Sequence, residues 1–195
     1  MNRLATSFVL GYHGCDRRVA ERLLRGENFR PSENDYDWLG HGVYFWEANT
    51  KRGSAFATEK AKGLRGRQTT RIKPSVIGAV IDLGLCLDMT AQSDIEQVRL
   101  AYQEFKSVSE KADVQYPMNS HDGLRRPLDC AVIEALHGIR QRKGATELST
   151  VRGIFVEGEA IYKSAGFLEK THIQICVRDP DCIKGVFRVP KAYLE

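Results

Sequence analysis

Apolar residues are spaced in two different ways along this chain. Towards both ends they form short runs or alternate with polar residues, which is the pattern of β-strands. In the middle they recur every three or four residues, which is the pattern of amphipathic helices. The predicted strands are 8–12, 42–46, 76–83, 85–87, 153–156, 171–178 and 185–189. The predicted helices are 17–25, about 50–62, 94–110 and 127–141.

Capping residues mark the ends of several predicted helices. Asp16 and Asp94 are of the type that accepts a hydrogen bond from the first helical turn, and Gly26 suits a helix C-terminus. Pro127 fits the first turn of the last helix, where no amide hydrogen is needed. The buried sides of the two central helices are expected to carry Ile95, Val98, Ala101, Tyr102, Phe105, Leu128, Val132, Ile133 and Leu136.

The order of these elements predicts the class of fold. Strands lie at both ends of the chain and helices are inserted between them, so strand and helix do not alternate as in a doubly wound fold. We therefore expect an α+β domain with a mixed or antiparallel sheet, flanking helices and a helical insertion around 90–145. The 195 residues suit one domain over 1–195, since no repeat or low-complexity tract divides them.

Composition excludes several classes of protein. A hydrophobic share of 42% and a charged share of 28% are typical of a globular chain. The five cysteines form no CxxC pair, so neither a disulfide scaffold nor a structural zinc site is predicted. Reduced thiols fit a cytoplasmic protein. The most apolar stretch, 76–89, is interrupted by Asp82 and Asp88, so no association with a membrane is expected.

Positive charge is concentrated in one segment. The net charge is +4, but residues 51–73 alone hold eight basic residues and one acidic residue, Glu59. One interpretation of this segment is a solvated helix and loop. The other is a basic strip that attracts phosphate groups. Its basic residues are Lys51, Arg52, Lys60, Lys62, Arg65, Arg67, Arg71 and Lys73.

Three short motifs combine glycine, aromatic and polar residues at predicted strands. The first is Tyr12-His13-Gly14-Cys15, the second is GHGVYF over 40–45, and the third is IQICVRD over 173–179. Each motif by itself has a plain structural explanation. A histidine beside a glycine suits a turn, GVYF suits a buried strand, and a glutamine in an apolar strand usually pairs with a neighbour.

Taken in order, the motifs resemble the catalytic domain of ADP-ribosyltransferases of the diphtheria-toxin and poly(ADP-ribose) polymerase type. That family places a histidine, a tyrosine and a glutamate on separate strands. The likeness is sharpest over 40–51, GHGVYFWEANTK, against the family pattern GxGIYFA followed by Ser-Lys. The resemblance implies a split mixed or antiparallel sheet, NAD as the substrate, release of nicotinamide, and His13, Tyr44 and Gln174 as the catalytic residues.

The chemistry of NAD gives each of these residues an expected role. Breaking the bond between nicotinamide and ribose develops positive charge on the ribose, so the site must hold both the amide and the sugar. We expect the Gly14 backbone to bind the carboxamide, His13 a ribose or adenosine group, and Tyr44 to stack on nicotinamide. Further expected NAD-binding residues are Phe56 for the second face of the ring, Thr50 or Ser54 for the amide, and Arg30 for the pyrophosphate. The histidines show no metal-ligand spacing, so no metal is predicted.

Gln174 departs from the family pattern, which has glutamate at this position. Glutamine can bind the ribose, but it can neither act as a base nor supply a negative charge. Three explanations stay open. Another carboxylate takes over the role, with Glu47, Glu157 and Glu159 as candidates; the acceptor activates itself, which favours single transfers; or the domain binds NAD without turning it over.

The function expected from the resemblance is an NAD-dependent mono-ADP-ribosyltransferase of the kind found among toxins and defence effectors. Its acceptor is a nucleic acid or a protein. The basic strip favours RNA or DNA, through Arg65, Arg67, Arg71 and Lys73. The alternative is a non-catalytic module that binds NAD or ADP-ribose.

Overall fold

The computed structural model describes residues 8–63 and 72–194, which contain seven strands and four α-helices. The strands are β1 (Phe8–Asp16), β2 (Val43–Glu47), β3 (Pro74–Asp82), β4 (Cys86–Asp88), β5 (Thr150–Phe155), β6 (His172–Val177) and β7 (Ile183–Arg188). The helices are α1 (Arg17–Leu23), α2 (Thr50–Ala61), α3 (Gln92–Lys111) and α4 (Pro127–Arg142). Two short 3₁₀ helices, Pro180–Cys182 and Lys191–Tyr193, flank β7.

The strands form one mixed sheet in the order β4-β5-β6-β2-β1-β3-β7. β4 and β5 run parallel, and the other neighbouring strands run antiparallel. The predicted α+β class with a mixed sheet is therefore confirmed. The helical insertion is also confirmed, because α3 and α4 lie between β4 and β5 in the chain.

Side chains alternate along the strands and give the sheet two faces. On one face, which we call the α1 face, α1 and the loop that carries Phe29 cover β1, β2 and β3 around Phe45 and Ile77. The other, which we call the α4 face, is covered by α2, α3 and α4. There Val151 and Cys176 are buried against Val132 and its neighbours on α4.

Local sequence signals located the helices and strands, but β1 extends four residues beyond the predicted 8–12, and one predicted cap and one predicted buried residue are wrong. Pro127 opens α4, and Asp16 caps α1 by accepting a hydrogen bond from the Arg18 amide. The cap predicted at Asp94 is wrong, because α3 begins two residues earlier and Asp94 instead accepts a hydrogen bond from the Asp88 amide. Burial of Ile95 is also wrong, because the side of α3 that packs on the core begins at Val98 and leaves Ile95 45% exposed.

None of the helices in the described ranges is both long and apolar enough to cross a bilayer.

Candidate functional site

The three sequence motifs lie on neighbouring strands at the centre of the sheet. β6, β2 and β1 are adjacent in that order, although they come from residues 172–177, 43–47 and 8–16. Trp46 of β2 lies opposite Gln174 on one side and opposite Tyr12 on the other. Tertiary structure therefore brings motifs from both ends of the chain into one region.

The sheet opens between β1 and β2 at this point. Their ladder consists of the pairs Gly11–Glu47 and Tyr12–Trp46. On its other side, β1 stays paired with β3 as far as Asp16. The edge of β1 that faces β2 thus leaves the ladder at His13, the first histidine singled out in the sequence.

His13 spans this opening with its side chain. The imidazole Nδ1 donates a hydrogen bond to the Tyr44 carbonyl oxygen at 2.8 Å. The ring also packs against Phe29 and Phe45, with centroid distances of 5.5 and 5.7 Å. Burial lowers the pKa of His13, so the imidazole is neutral at pH 7 and holds β2 by a hydrogen bond rather than by charge.

Tyr44 closes the loop that precedes its own strand. Its hydroxyl donates a hydrogen bond to the Gly40 carbonyl oxygen at 2.8 Å and accepts one from the Leu39 amide at 2.9 Å. The ring packs against the core beneath α4, and burial raises the pKa of the phenol well above its usual value. The stacking of Tyr44 on nicotinamide stays a prediction, while its hydroxyl has a structural role in the loop.

Gln174 is held by an indole. Trp38 Nε1 donates a hydrogen bond to the Gln174 side-chain oxygen at 2.6 Å. Because an indole N–H can only donate, the atom that faces it is the amide oxygen, and the amide NH₂ group is left to donate. Gln174 and Trp38 are both partly exposed. Gln174 therefore offers hydrogen-bond donors, and no negative charge, to a ligand at this face.

Aromatic side chains surround Gln174 on the α4 face. Neighbouring ring centroids lie 4.8–6.3 Å apart along this group. The guanidinium of Arg126, at the start of α4, lies over two of these rings at 4.4 and 5.0 Å from their centroids. Together with Gln174 they form what we call the Trp38–Gln174 site, whose aromatic members are Phe56, Trp46, His172, Phe155 and Trp38.

The structure places His13 on the opposite face from the other two predicted catalytic residues. Tyr44 and Gln174 project to the α4 face with Trp46, whereas His13 packs with Phe45 on the α1 face. The three strands are brought together, but the three side chains do not converge. The reason is the register of β1 on β2. Tyr12 lies opposite Trp46 and projects to the same face, so His13, the next residue along the strand, projects to the other face.

The remaining predicted NAD-binding residues are divided between several places. Phe56 joins the Trp38–Gln174 site through Trp46, with ring centroids 4.8 Å apart. The Thr50 hydroxyl donates to the Tyr193 carbonyl oxygen at 2.8 Å, so it is engaged by the C-terminal segment. Arg30 is exposed and follows Phe29 on the α1 side.

Gly14 is packed against the backbone of α2. A Cβ atom placed on Gly14 would lie 2.2 Å from the Gly53 carbonyl oxygen. The glycine predicted to bind a carboxamide thus also permits close contact between β1 and α2.

The candidate carboxylates differ sharply in their surroundings. Glu157 accepts a hydrogen bond from Arg52 Nη2 at 2.7 Å, and both side chains are 7% exposed. Glu47 forms an ion pair with Arg152 at 2.6 Å and faces away from Trp46 and Gln174. Glu159 is exposed beyond the end of β5.

Two buried side chains beside Phe56 carry N–H groups without an acceptor. Within the ranges 8–63 and 72–194, Trp46 Nε1 and Arg52 Nε and Nη1 have no hydrogen-bond partner, although Arg52 Nη1 forms an ion pair with Glu59 at 3.6 Å. Trp46 is 4% and Arg52 7% exposed. Buried donors of this kind suit an oxygen atom of a ligand or a bound water.

The predicted basic strip is corrected in part. Arg52 is not a surface cation, because it is buried between Glu157 and Glu59, at 2.7 and 3.6 Å. Arg65, Arg67 and Arg71 lie outside the described residues. Lys73 is exposed, but it lies beside α1 rather than at the Trp38–Gln174 site.

A second polar cluster anchors the loop before β2. Glu134 of α4 accepts hydrogen bonds from the His41 amide at 2.8 Å and from Arg178 Nη1 at 2.6 Å. Arg178 also donates to the His41 carbonyl oxygen at 3.1 Å. Burial acts to raise the pKa of Glu134, but these partners outweigh it and lower the pKa. The cluster ties the GHGVYF segment to α4.

The stability of the protein is expected to fall as the pH drops from about 6.5 to about 4, in part through His137. Burial, followed by the charge of Arg178, lowers the pKa of His137 from 6.5 to about 4. Between these values the unfolded chain binds a proton that the folded chain excludes, so acid favours unfolding. We expect His137→Gln to recover about 1–2 kcal/mol at pH 4.5, after allowance for partial exposure.

Urea unfolding at pH 7.0, 5.5 and 4.5 measures this effect. His121→Gln is the matched control, because His121 is exposed. Parallel stability profiles for wild type and His137→Gln would contradict the prediction.

Comparisons with known proteins leave the family open. No family model matches the chain, and no solved structure matches it. The chain is similar to an uncharacterized protein of Methanocaldococcus jannaschii, at 26% identity over 191 residues that cover 89% of this chain and 83% of that relative. An uncharacterized relative at this identity assigns neither a family nor an activity. The described residues contain no group of three or more His, Cys, Asp or Glu side chains arranged to hold a metal ion.

Sequence reasoning missed several contacts of this region. Arg126 and the buried Arg52–Glu157 pair were not anticipated, and Trp38 was not assigned to Gln174. One available signal was the period of two, since Tyr44 and Trp46 on β2 and His172 and Gln174 on β6 alternate with core residues. No local signal reports that Trp38 meets Gln174, because 136 residues separate them.

Proposed function

We propose that this protein binds NAD at the Trp38–Gln174 site and transfers its ADP-ribose to a macromolecular acceptor. The observation that carries the proposal is the adjacency of β6, β2 and β1, with an opening of the sheet beside His13. The sequence resemblance implies a histidine, a tyrosine and a third polar residue on neighbouring strands around a split sheet. The observed strand order agrees with that arrangement.

The chemistry of the site suits the two rings and the oxygen atoms of NAD. Trp38 and Phe56, the two partly exposed rings of the Trp38–Gln174 site, provide apolar surface for planar rings. The amide NH₂ of Gln174 is available to a ribose hydroxyl or a carbonyl oxygen. The buried Nε1 group of Trp46 and Nε group of Arg52 suit a carboxamide oxygen beside Phe56. In this proposal His13 is a positioning residue that holds β2.

The transfer requires one bond to break and one to form. The bond between the nicotinamide nitrogen and ribose C1′ breaks, and both electrons leave with nicotinamide as a neutral molecule. An oxygen or nitrogen of the acceptor bonds to C1′ and loses its proton to water. Gln174 orients the ribose but cannot accept that proton, which favours single transfers to an acceptor that activates itself.

A second candidate function is binding of intact NAD without turnover. It is favoured by the positions of the carboxylates. Glu47 faces the other side of the sheet, and Glu157 follows Gly153, the partner of Gln174 in the ladder, by four residues. Only two of these four residues lie within β5, which ends at Phe155, and the Glu157 carboxylate is hydrogen-bonded to Arg52. Neither carboxylate lies beside Gln174 to stabilise a developing positive charge.

Replacing Gln174 by alanine is expected to weaken NAD binding at least about fivefold. The substitution removes the amide donor and leaves the Trp38 indole without its acceptor, and a lost hydrogen bond of this kind accounts for about 1–3 kcal/mol. Isothermal titration calorimetry with NAD measures the change. Gln103→Ala, at an exposed position on α3, is the matched control and should bind as the wild type does.

Release of nicotinamide from labelled NAD in a cell lysate separates the two candidate functions. Label on protein or nucleic acid supports transfer, and binding without release supports the module. Absence of NAD binding by the folded wild type would reject both. A Gln174→Glu variant that gains NAD hydrolysis would show that glutamine at position 174 is by itself the reason why the wild type does not hydrolyse NAD.

A further inference from the structure

A concave surface beside α1 is lined by charged side chains. Its volume is about 410 Å³. Arginine predominates, and the acidic member of the lining is Glu21. We call its five cations the α1 basic surface: Arg17, Arg18, Arg22, Arg25 and Lys73.

The backbone holds these cations on one rigid platform. The Arg17 amide donates to the Lys73 carbonyl oxygen at 2.8 Å, which joins α1 to the start of β3. The Asp16 carboxylate accepts from the Arg18 amide at 2.7 Å and from the Lys73 amide at 3.0 Å. The backbone positions of Arg17, Arg18 and Lys73 are therefore set by the junction of α1 with β3.

Cations outnumber carboxylates on this surface, although Asp16 lies close to Arg18 and Lys73, and Glu21 lies close to Arg17 and Arg25. Glu21 is engaged by Arg188, with two hydrogen bonds of 2.9 and 3.0 Å. Arg22 has a weaker ion pair with Glu27 at 3.6 Å.

The remaining four cations of the surface are exposed. They make no ion pair with any residue in the described ranges, and they are Arg17, Arg18, Arg25 and Lys73.

From this geometry we infer that the α1 basic surface binds the phosphate backbone of a nucleic acid. Arginine binds phosphate through a planar fork of N–H groups, and four of the five cations are arginines. Contacts between proteins and nucleic acids fall largely on phosphates, for which a lining of exposed cations is sufficient. This inference does not depend on NAD chemistry, because α1 lies on the opposite face of the sheet from the Trp38–Gln174 site.

The composition of the surface argues against two other partners. A protein interface is centred on buried apolar or aromatic anchors, whereas every residue that lines this concavity is charged. Binding at a membrane surface is strengthened by apolar side chains that enter the lipid, but Ala20 and Leu23 of α1 are buried against the sheet.

The test is the salt dependence of binding to a fluorescently labelled 20-nucleotide single-stranded RNA. Four neutralised phosphates give a slope of log K against log salt of about −2.8, so affinity should fall about 50-fold between 50 and 200 mM KCl. The triple variant Arg17→Gln, Arg18→Gln, Arg25→Gln removes three of the four cations that form no ion pair and retains Lys73. Its slope should be about −0.7, with a loss of about threefold over the same range.

A second triple variant has the same change in charge elsewhere. Arg99→Gln, Lys106→Gln, Lys111→Gln removes three exposed cations from α3 and should retain the steep slope. An equal loss of RNA affinity and of salt dependence in both triple variants would overturn the inference, as would the absence of RNA binding by the wild type. So would binding of poly-glutamate or of phosphatidylserine vesicles that depends on the same three arginines and equals the binding of RNA. NAD calorimetry on the α1 variant should match the wild type, which keeps this test separate from that of the proposed function.

Discussion

Replacing Gly14 by alanine is expected to destabilise the protein by about 3 kcal/mol or more. The new Cβ would lie 2.2 Å from the Gly53 carbonyl oxygen and 3.3 Å from the Ala57 nitrogen. These are backbone atoms of α2, so no side-chain rotation relieves the contact. Either β1 or the whole helix must shift, and Trp46 and Phe56 pack where they meet. Urea unfolding followed by circular dichroism measures the loss.

Gly185→Ala is the matched control for this variant. Gly185 also lies in a strand, but a Cβ atom at that position would meet nothing within 4 Å. We expect its free energy of unfolding to stay within about 0.5 kcal/mol of the wild-type value. The comparison therefore isolates the close approach of β1 and α2 from any general effect of replacing glycine in a strand.

The Gly14→Ala variant also separates two roles for this glycine. If the glycine serves packing, alanine lowers stability. If it serves only to present its backbone to a carboxamide, alanine leaves stability unchanged and weakens NAD binding. A Gly14→Ala protein as stable as the wild type would contradict the packing role derived from the structure.

Replacing Glu157 by alanine is expected to destabilise the protein by about 3–5 kcal/mol. Glu157 and Arg52 are each 7% exposed and share a hydrogen bond of 2.7 Å. Removing the carboxylate leaves the buried guanidinium with the more distant Glu59, at 3.6 Å. The free energy of unfolding in urea at pH 7 is the measurement. Glu159→Ala, two residues further on and exposed, should change it by less than about 0.5 kcal/mol.

A double variant tests the cause of that loss. Arg52→Met combined with Glu157→Leu replaces the ion pair by apolar side chains of similar length, and such replacements in other proteins are often neutral. We expect the double variant to recover most of the stability lost in Glu157→Ala. If the losses of stability in Arg52→Met and in Glu157→Leu, measured singly, add up to the loss in the double variant, the ion pair is not the origin of the effect.

The helices and strands followed from local patterns because short-range physics determines them. Pro127 opens α4 and Asp16 caps α1 as expected, since each acts on the backbone within its own turn. The prediction for Ile95 is wrong because its exposure depends on where α4 crosses α3. The spacing of apolar residues along α3 does not specify that crossing point.

The composition of the candidate site was only partly accessible from the sequence. Gln174 was singled out from its strand, but its partner Trp38 is 136 residues away. In the sequence Arg52 is one of the eight cations of 51–73, and its burial follows only from its contact with Glu157, 105 residues later. Contacts at such separations depend on the order of the strands in the sheet.

The sequence by itself determined the α+β class, the positions of most elements and the three motifs that share the centre of the sheet. Tertiary structure alone decided which side chains meet there. The pairing of β1 with β3 and β2 sends His13 to the α1 face, while Gly14 faces α2 and Gln174 faces Trp38. The physical reason is the two-residue period of a strand: a shift of one residue exchanges the faces, and the register is set by neighbours that are distant in the chain.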